Sequence, residues 1–235
     1  METNPAGACS EAFEHEARAM GYRRIAGLDE AGRGCLFGPV FAAAVVLSPE
    51  NPVPGLCDSK QLPPEERERL AGLIRRRAAA WAVASVSAAE IDRINIYQAS
   101  RLAMKRALEQ LDPPADYLLV DALVLDAEAP QKALVKGDAR CASIAAASIL
   151  AKVERDAYMR RRDAVYPGYG LARHKGYGTR QHLEALARLG PTPEHRRSFA
   201  PVREVCGLPP PEPRRKKKRT GGEGQIGLFG EEAPE

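Results

Sequence analysis

Ile25-Ala26-Gly27-Leu28-Asp29-Glu30-Ala31-Gly32-Arg33-Gly34 is a short apolar run that stops on two adjacent carboxylates and a glycine-flanked arginine. The run Ile25 to Leu28 predicts a strand buried on both faces. The glycines predict a tight turn, and Val40 to Leu47 a second strand coming back from it. Two ionised carboxylates at the end of a buried strand repel each other unless a cation neutralises them. Their oxygens are hard donors of the kind that Mg²⁺ and Mn²⁺ take.

Working outward, residues 1–20 carry no long apolar pattern and read as a short helix or a loose end. Pro63 and Pro64 open a charged helix over 65–77, and Trp81, Val83 and Val86 form a third strand. Ser87 is placed to cap a helix beginning at Ala88. Tyr97 to Leu111 predicts a helix with Leu102, Ala103, Leu108 and Leu111 as its buried stripe, ended by Pro113 and Pro114. Tyr117–Asp121 and Ala133–Val135 predict two more strands. Arg140–Arg161, rich in alanine and free of Gly and Pro, predicts a long helix, and Arg180–Arg188 a further one. Hairpin strands first and strands alternating with helices afterwards make a mixed sheet in an α/β layered fold.

The 235 residues, 44% of them hydrophobic, suffice for one packed domain with a small appendage. No apolar stretch approaches the roughly 20 residues of a membrane helix, and the N-terminus lacks a signal-peptide pattern, so a cytoplasmic protein without membrane association is expected. Five cysteines form no CxxC pair, which argues against a zinc site or a disulfide framework. The net charge of +4 permits nucleic-acid binding without demanding it. Composition divides the chain into an extension over 1–20, a main domain with a C-terminal helical part over 21–205, and a basic tail over 206–235 of disordered-linker composition.

Asp121 ends the run Leu118-Leu119-Val120, and Asp138 follows Val135-Lys136-Gly137 just before the long helix. Taken singly, such residues also fit turn formers; if their strands are neighbours, Asp29, Glu30, Asp121 and Asp138 converge at one sheet end. A cluster of that kind suits two-metal phosphodiester hydrolysis. Gly32-Arg33-Gly34 fails as a dinucleotide fingerprint, because Phe37 stands where a third small residue belongs. It fits either a tight turn or a backbone that approaches a sugar hydroxyl. His174-Lys175-Gly176-Tyr177-Gly178-Thr179 sets an aromatic ring in a Gly-flanked loop, suited to structure or to stacking on a sugar or base.

These segments, with Asp58-Ser59-Lys60 and Ala146 to Asp156, occur in an order that resembles bacterial ribonuclease HII, a type 2 ribonuclease H, from about Arg23 to Phe199. The resemblance implies an RNase H-like five-stranded mixed sheet flanked by helices with a small C-terminal helical extension. It also implies a monomeric, Mg²⁺- or Mn²⁺-dependent endonuclease, with two ions during catalysis. The substrates it implies are the RNA strand of RNA/DNA hybrids and single ribonucleotides embedded in duplex DNA, cut to 3′-hydroxyl and 5′-phosphate ends in replication and repair. It assigns catalysis and metal binding to Asp29, Glu30, Asp121 and Asp138, and 2′-hydroxyl sensing to Gly32, Arg33, Gly34 and Tyr177. Lys60 and Lys175 become phosphate contacts. Asp156, beside Arg155 on a helix flank, reads as a structural ion pair. Cys35 and Phe37 replace the more usual Pro and Ala, so Phe37 bears on the turn that reads the ribose.

The tail residues Gln225, Leu228 and Phe229 resemble the Gln-x-x-Leu-Phe segments that dock on the replicative sliding clamp, and Arg214–Arg219 would add salt-sensitive DNA attraction. Two rivals remain. A DNA-directed nuclease such as a resolvase or integrase core needs no ribose sensor, and a clamp-recruited binding module needs no carboxylates.

Overall fold

The computed structural model describes residues 9–209; Gln225, Leu228, Phe229 and the basic run Arg214–Arg219 lie outside the described residues. Helix α1 (Ala12–Ala19) precedes strands β1 (Ile25–Ala31) and β2 (Val40–Val46). Helix α2 (Pro64–Arg77), strand β3 (Ala80–Val86), helices α3 (Ala88–Ile94) and α4 (Ile96–Glu109) and strands β4 (Tyr117–Asp121) and β5 (Gln131–Leu134) follow. The long α5 (Ala142–Val165) leads to the short α6 (Leu171–His174), α7 (Arg180–Leu189) and α8 (Ala200–Val205). No described helix is long and apolar enough to cross a membrane.

The five strands stand in the order β3-β2-β1-β4-β5. β1, β2 and β3 form an antiparallel meander, and β4 and β5 run parallel to β1, as the hairpin-then-alternation pattern predicts. β1 is therefore central and covered on both sides, α4 packing on one face and α5 on the other. Gly27 explains how α5 comes so close: a Cβ there would lie 2.1 Å from the backbone of Ser143. The small residues Ala145, Ala146, Ala147 and Ser148 of α5 continue that close approach, so the helix crosses the sheet directly behind Asp29.

Local chemistry sets the helix starts. Ser87 and Glu90 form a reciprocal capping box on α3, and the Asn95 side chain caps α4. The described part of that stretch, residues 9–20, takes the short-helix alternative. Glu14 of α1 is buried and accepts a 2.7 Å hydrogen bond from the Ser143 N–H in the first turn of α5, where a carboxylate suits the unpaired amides.

Four details differ from the sequence reading. β1 continues through Ala31, so Asp29 and Glu30 lie inside the strand's end rather than beyond it. α4 buries Ala99, Ser100, Ala103, Met104 and Ala107, with Leu102 and Leu108 at the margins. Small residues occupy its closest line to an alanine-rich sheet face, and the larger ones fill the flanks. β5 begins two residues earlier than expected and leaves Val135 exposed. Trp81 is also exposed; its indole N–H donates to the Arg75 carbonyl, and the inward face of β3 is Ala80, Ala82, Ala84 and Val86.

Candidate active site

The parallel pairing of β1 with β4 brings Leu28 opposite Val120, so Asp29 and Asp121 are the next residues along adjacent strands at their C-terminal ends. That end of a parallel sheet is where α/β folds bind ligands. Asp138 arrives in a 3₁₀ turn (Gly137–Ala139) between β5 and α5. The turn is held by Asp121, whose Oδ1 accepts from the Gly137 N–H at 2.7 Å. Gly137 packs tightly there: a Cβ would fall 2.6 Å from the end of the Ile144 side chain, which would have to shift. The neighbouring strands therefore bring together the carboxylates that the sequence places at strand ends.

A cleft of about 230 Å³ opens there, lined by Asp29, Glu30, the Ala31–Gly34 turn, Ser59, Lys60, Asp121, Ser148, Lys152 and Tyr177. A larger hollow of about 580 Å³ lies away from it, between α4 and the 126–129 loop, and its acidic lining residues, Glu109, Asp126 and Glu128, are all exposed. Burial pushes the Asp29 carboxyl well above its ordinary range, and the charges of Glu30 and Asp121 add to the shift. Burial also raises Glu30, opposed by Arg33, whose Nη1 donates to Glu30 Oε1 at 3.0 Å. Asp121 is raised by burial and by Asp138, and the Gly137 N–H works against it. Lys60 is raised chiefly by its hydrogen bond to Asp138, Nζ to Oδ2 at 2.6 Å.

The chain's own cations and amides thus satisfy part of the cluster. Among the described residues no three acidic, histidine or cysteine side chains already converge as a ready-made metal set. Asp138 is turned to Lys60 and Glu30 to Arg33, while Asp29 Oδ1 accepts from the Glu30 N–H at 2.7 Å. Glu30 Oε2 is buried with no partner. An orphaned carboxylate oxygen beside mutually repelling carboxylates, all hard oxygen donors, fits a divalent cation.

The Gly32-Arg33-Gly34 turn forms one wall. Gly32 has φ +96°, and a Cβ on it would sit 2.0 Å from Arg155 Nε, so packing and backbone conformation both demand glycine there. Gly34 is different: it is exposed, has no positive φ, and a Cβ would meet nothing within 4 Å. Behind the turn, residues 35–37 are stitched to the 176–177 loop and to 195–196 by isolated bridges between Cys35 and Tyr177 and between Phe37 and His195. Tyr177, 44% exposed, faces the cleft with the Arg155 guanidinium 5.9 Å from its ring centroid. Phe37 is fully buried against Tyr166, Met159 and His195, so its bulk enters the core and not the cleft.

Lys60 lines the cleft, whereas the Lys175 ammonium folds back onto the Ala172 carbonyl. Asp156 pairs with Lys152 and, at 3.9 Å, with Arg67, not with its neighbour Arg155. All five cysteines are free.

Two arginines behind the turn escape sequence reasoning. Arg155, 1% exposed, donates to the carbonyls of Lys175 and Phe37. Arg196, equally buried, donates to those of Arg33 and Gly38, and burial lowers it to about 9. Nothing in the pattern around either separates a buried arginine from a surface one. For Ser148, Lys152 and Asp156, the spacing of four along α5 was an available signal of a shared face.

Residues 26–202 match the family model described as Ribonuclease HII. The ribonuclease HII of Solibacter usitatus is 58% identical over 212 residues, covering 89% of this chain and 93% of that protein. Among solved structures, the ribonuclease H2 of Pyrococcus horikoshii superposes with a TM-score of 0.67 at 29% identity, covering 78% of this chain and 97% of that one. The ribonuclease HII in a complex with PCNA from Archaeoglobus fulgidus gives a TM-score of 0.63 at 28% identity, covering 76% and 96%.

Proposed function

The chain belongs to the ribonuclease HII family, and on that premise we propose that Asp29, Glu30, Asp121 and Asp138 are its catalytic carboxylates. The protein is an endonuclease of RNA/DNA hybrids and of ribonucleotides embedded in duplex DNA. The observation that carries the assignment of the carboxylates is their placement along one sheet edge, at the C-terminal ends of β1 and β4 and just beyond β5, with Glu30 Oε2 buried and unpaired.

A divalent ion held by these four residues, Mg²⁺ or Mn²⁺, would supply activation of water and neutralisation of the departing 3′ oxygen. The protein's part is to aim the scissile phosphate at that corner. The open backbone at Gly34, next to Gly32 locked over Arg155, offers peptide groups to a 2′-hydroxyl that a side chain would crowd out. Tyr177 stands across the cleft to pack on the ribose. Arg33 and the largely exposed Lys60, each now neutralising a carboxylate, are within the same cleft to meet phosphate oxygens when those carboxylates take other partners. Lys175, bonded to its own loop, is a phosphate contact only if that bond opens.

The cut falls 5′ to the ribonucleotide and leaves a 3′-hydroxyl and a 5′-phosphate. Mapping products on a duplex with one ribonucleotide tests this: cleavage elsewhere, or turnover undiminished in Asp29→Asn, sinks the assignment. For the tail we propose docking on a replicative sliding clamp through Gln225, Leu228 and Phe229. The relative captured with PCNA supports clamp binding in the family, and the sequence of the tail names the residues.

A further inference from the structure

Three histidines lie packed together under the 174–178 loop and take no part in the chemistry above. His182 and His195 are 0% and 1% exposed, and His174 is also buried. His174 stacks on His182 with ring centroids 4.5 Å apart, and Phe37 meets His195 edge-on at 5.0 Å. A buried imidazole must place both nitrogens, and here the partners leave one consistent arrangement.

The arrangement is set from Thr192, whose backbone N–H donates to His195 Nδ1 at 3.0 Å. That nitrogen must therefore carry a lone pair, and a neutral His195 holds its proton on Nε2. His195 Nε2 faces His182 Nε2 at 3.2 Å, so His182 must accept there and carry its own proton on Nδ1. His182 Nδ1 lies 2.9 Å from the carbonyl of Tyr177, which also accepts from the Thr179 N–H at 2.8 Å. Both lone pairs of that oxygen are then filled. An extra proton on either ring would set N–H against N–H, and burial keeps both groups from taking one: His182 is lowered, and His195 falls to about 3. His174 fastens the same loop separately, accepting from the Gly176 N–H at Nδ1 and reaching the Tyr169 carbonyl with Nε2.

We propose that Thr192, His195 and His182 form a one-way hydrogen-bond relay that fixes the main chain of Tyr177 and thereby sets the pose of its ring toward the ribose. His182 and His195 are positioning residues, acting through Tyr177; the inference rests on the reading of Tyr177 as the partner of the ribose. The Phe37 ring meets His195 edge-on and covers that side of it.

Two variants separate positioning from simple packing. His182→Phe keeps an aromatic ring, slightly larger, and removes both hydrogen bonds, whereas His182→Asn restores an N–H at the position of Nδ1 in a smaller side chain. The expected loss in His182→Phe is about tenfold in kcat/KM on a duplex with one embedded ribonucleotide, and about twofold or less on a continuous hybrid, with most of the loss recovered in His182→Asn. Added to Tyr177→Ala, His182→Phe should cost little more. Equal losses on both substrates, no recovery in His182→Asn, or additive losses with Tyr177→Ala overturn the proposal. Imidazole ¹⁵N NMR of the unaltered protein gives a readout that does not depend on variant folding. A protonated Nδ1 on His182 with a protonated Nε2 on His195 supports the relay, and any other pair of tautomers overturns it. If Tyr177→Ala leaves the substrate ratio unchanged while these tautomers are found, the relay stands as a structural assignment, and its link to the ribose fails with the reading of Tyr177.

Discussion

Gly32 and Gly34 stand two residues apart in one turn, yet alanine at each should do opposite things. At Gly34 no contact and no positive φ opposes a methyl group. Gly34→Ala should leave stability unchanged or raise it by ~0.4–1 kcal/mol, because alanine narrows the freedom of the unfolded chain. The same methyl would stand on the cleft wall where a peptide group must reach the sugar hydroxyl. Losing that hydrogen bond with a partner left unpaired costs about 1–3 kcal/mol, or roughly 5- to 150-fold in kcat/KM on a ribonucleotide-containing duplex. At Gly32 the methyl meets Arg155 Nε at 2.0 Å with φ at +96°. Backbone strain of ~1–3 kcal/mol then adds to the displacement of a buried guanidinium that holds two carbonyls, so Gly32→Ala should melt on the order of 10 °C lower. Thermal melts paired with single-turnover cleavage make the comparison. Wild-type cleavage by Gly34→Ala, or a melting loss in it as large as that of Gly32→Ala, would refute the division of roles.

Further outcomes can be checked. Metal-free Asp29→Asn should melt above the wild type at neutral pH, since it removes one of three mutually repelling carboxylates; added Mn²⁺ should raise the wild-type Tm and leave the variant's nearly unchanged, and equal shifts would contradict the metal assignment. Glu90 is lowered to about 2 by Arg106 and by its bonds to Ser87, so its contribution is present above the unfolded value near 4.5 and is lost as pH falls toward 2. Glu90→Gln keeps a capping oxygen for the Ser87 N–H but loses the charge paired with Arg106, so it should cost ~0.2–1 kcal/mol at pH 7, and urea titrations should find the gap closing in acid. Tyr177→Ala should lose more activity on one embedded ribonucleotide than on a long hybrid, and equal losses would remove its part in sensing. Replacing Leu228 and Phe229 by alanine should leave cleavage in solution intact and end co-elution with a sliding clamp, while continued co-elution would exclude docking there.

The strand-end carboxylates were legible because burial and charge conflict within a few residues. Leu28 and Val120 run directly into Asp29 and Asp121, and hydrophobic patterning alone locates both strands. Whether the carboxylates met depended on strand order, which no local pattern encodes. The β1–β2 hairpin followed from its short connection, but the pairings of β3 with β2 across α2 and of β4 with β1 are long-range choices. The stripe of α4 was half legible: Ala103 and Leu111 are buried as expected, but Leu102 and Leu108 sit at the margins because an alanine-lined sheet face takes Ala99, Ala103 and Ala107 closest. Arg155 and Arg196 were not legible at all: their partners are main-chain carbonyls far along the chain, and a carbonyl leaves no mark on the residue that supplies it. Phe37 shows the same limit in reverse, since its identity marked a departure near the turn and only its direction, inward to His195, showed where its bulk goes.

The most direct test is product mapping on a duplex holding a single ribonucleotide, run beside the identical all-DNA duplex, with wild type and Asp29→Asn, each with and without Mg²⁺ or Mn²⁺. Expected is one metal-dependent cut 5′ to the ribonucleotide, ending in a 3′-hydroxyl and a 5′-phosphate, absent from the all-DNA duplex and abolished in Asp29→Asn while the variant still binds the substrate. Cleavage of the all-DNA duplex, or an unchanged cut by Asp29→Asn, would contradict a carboxylate-held metal centre coupled to a ribose sensor.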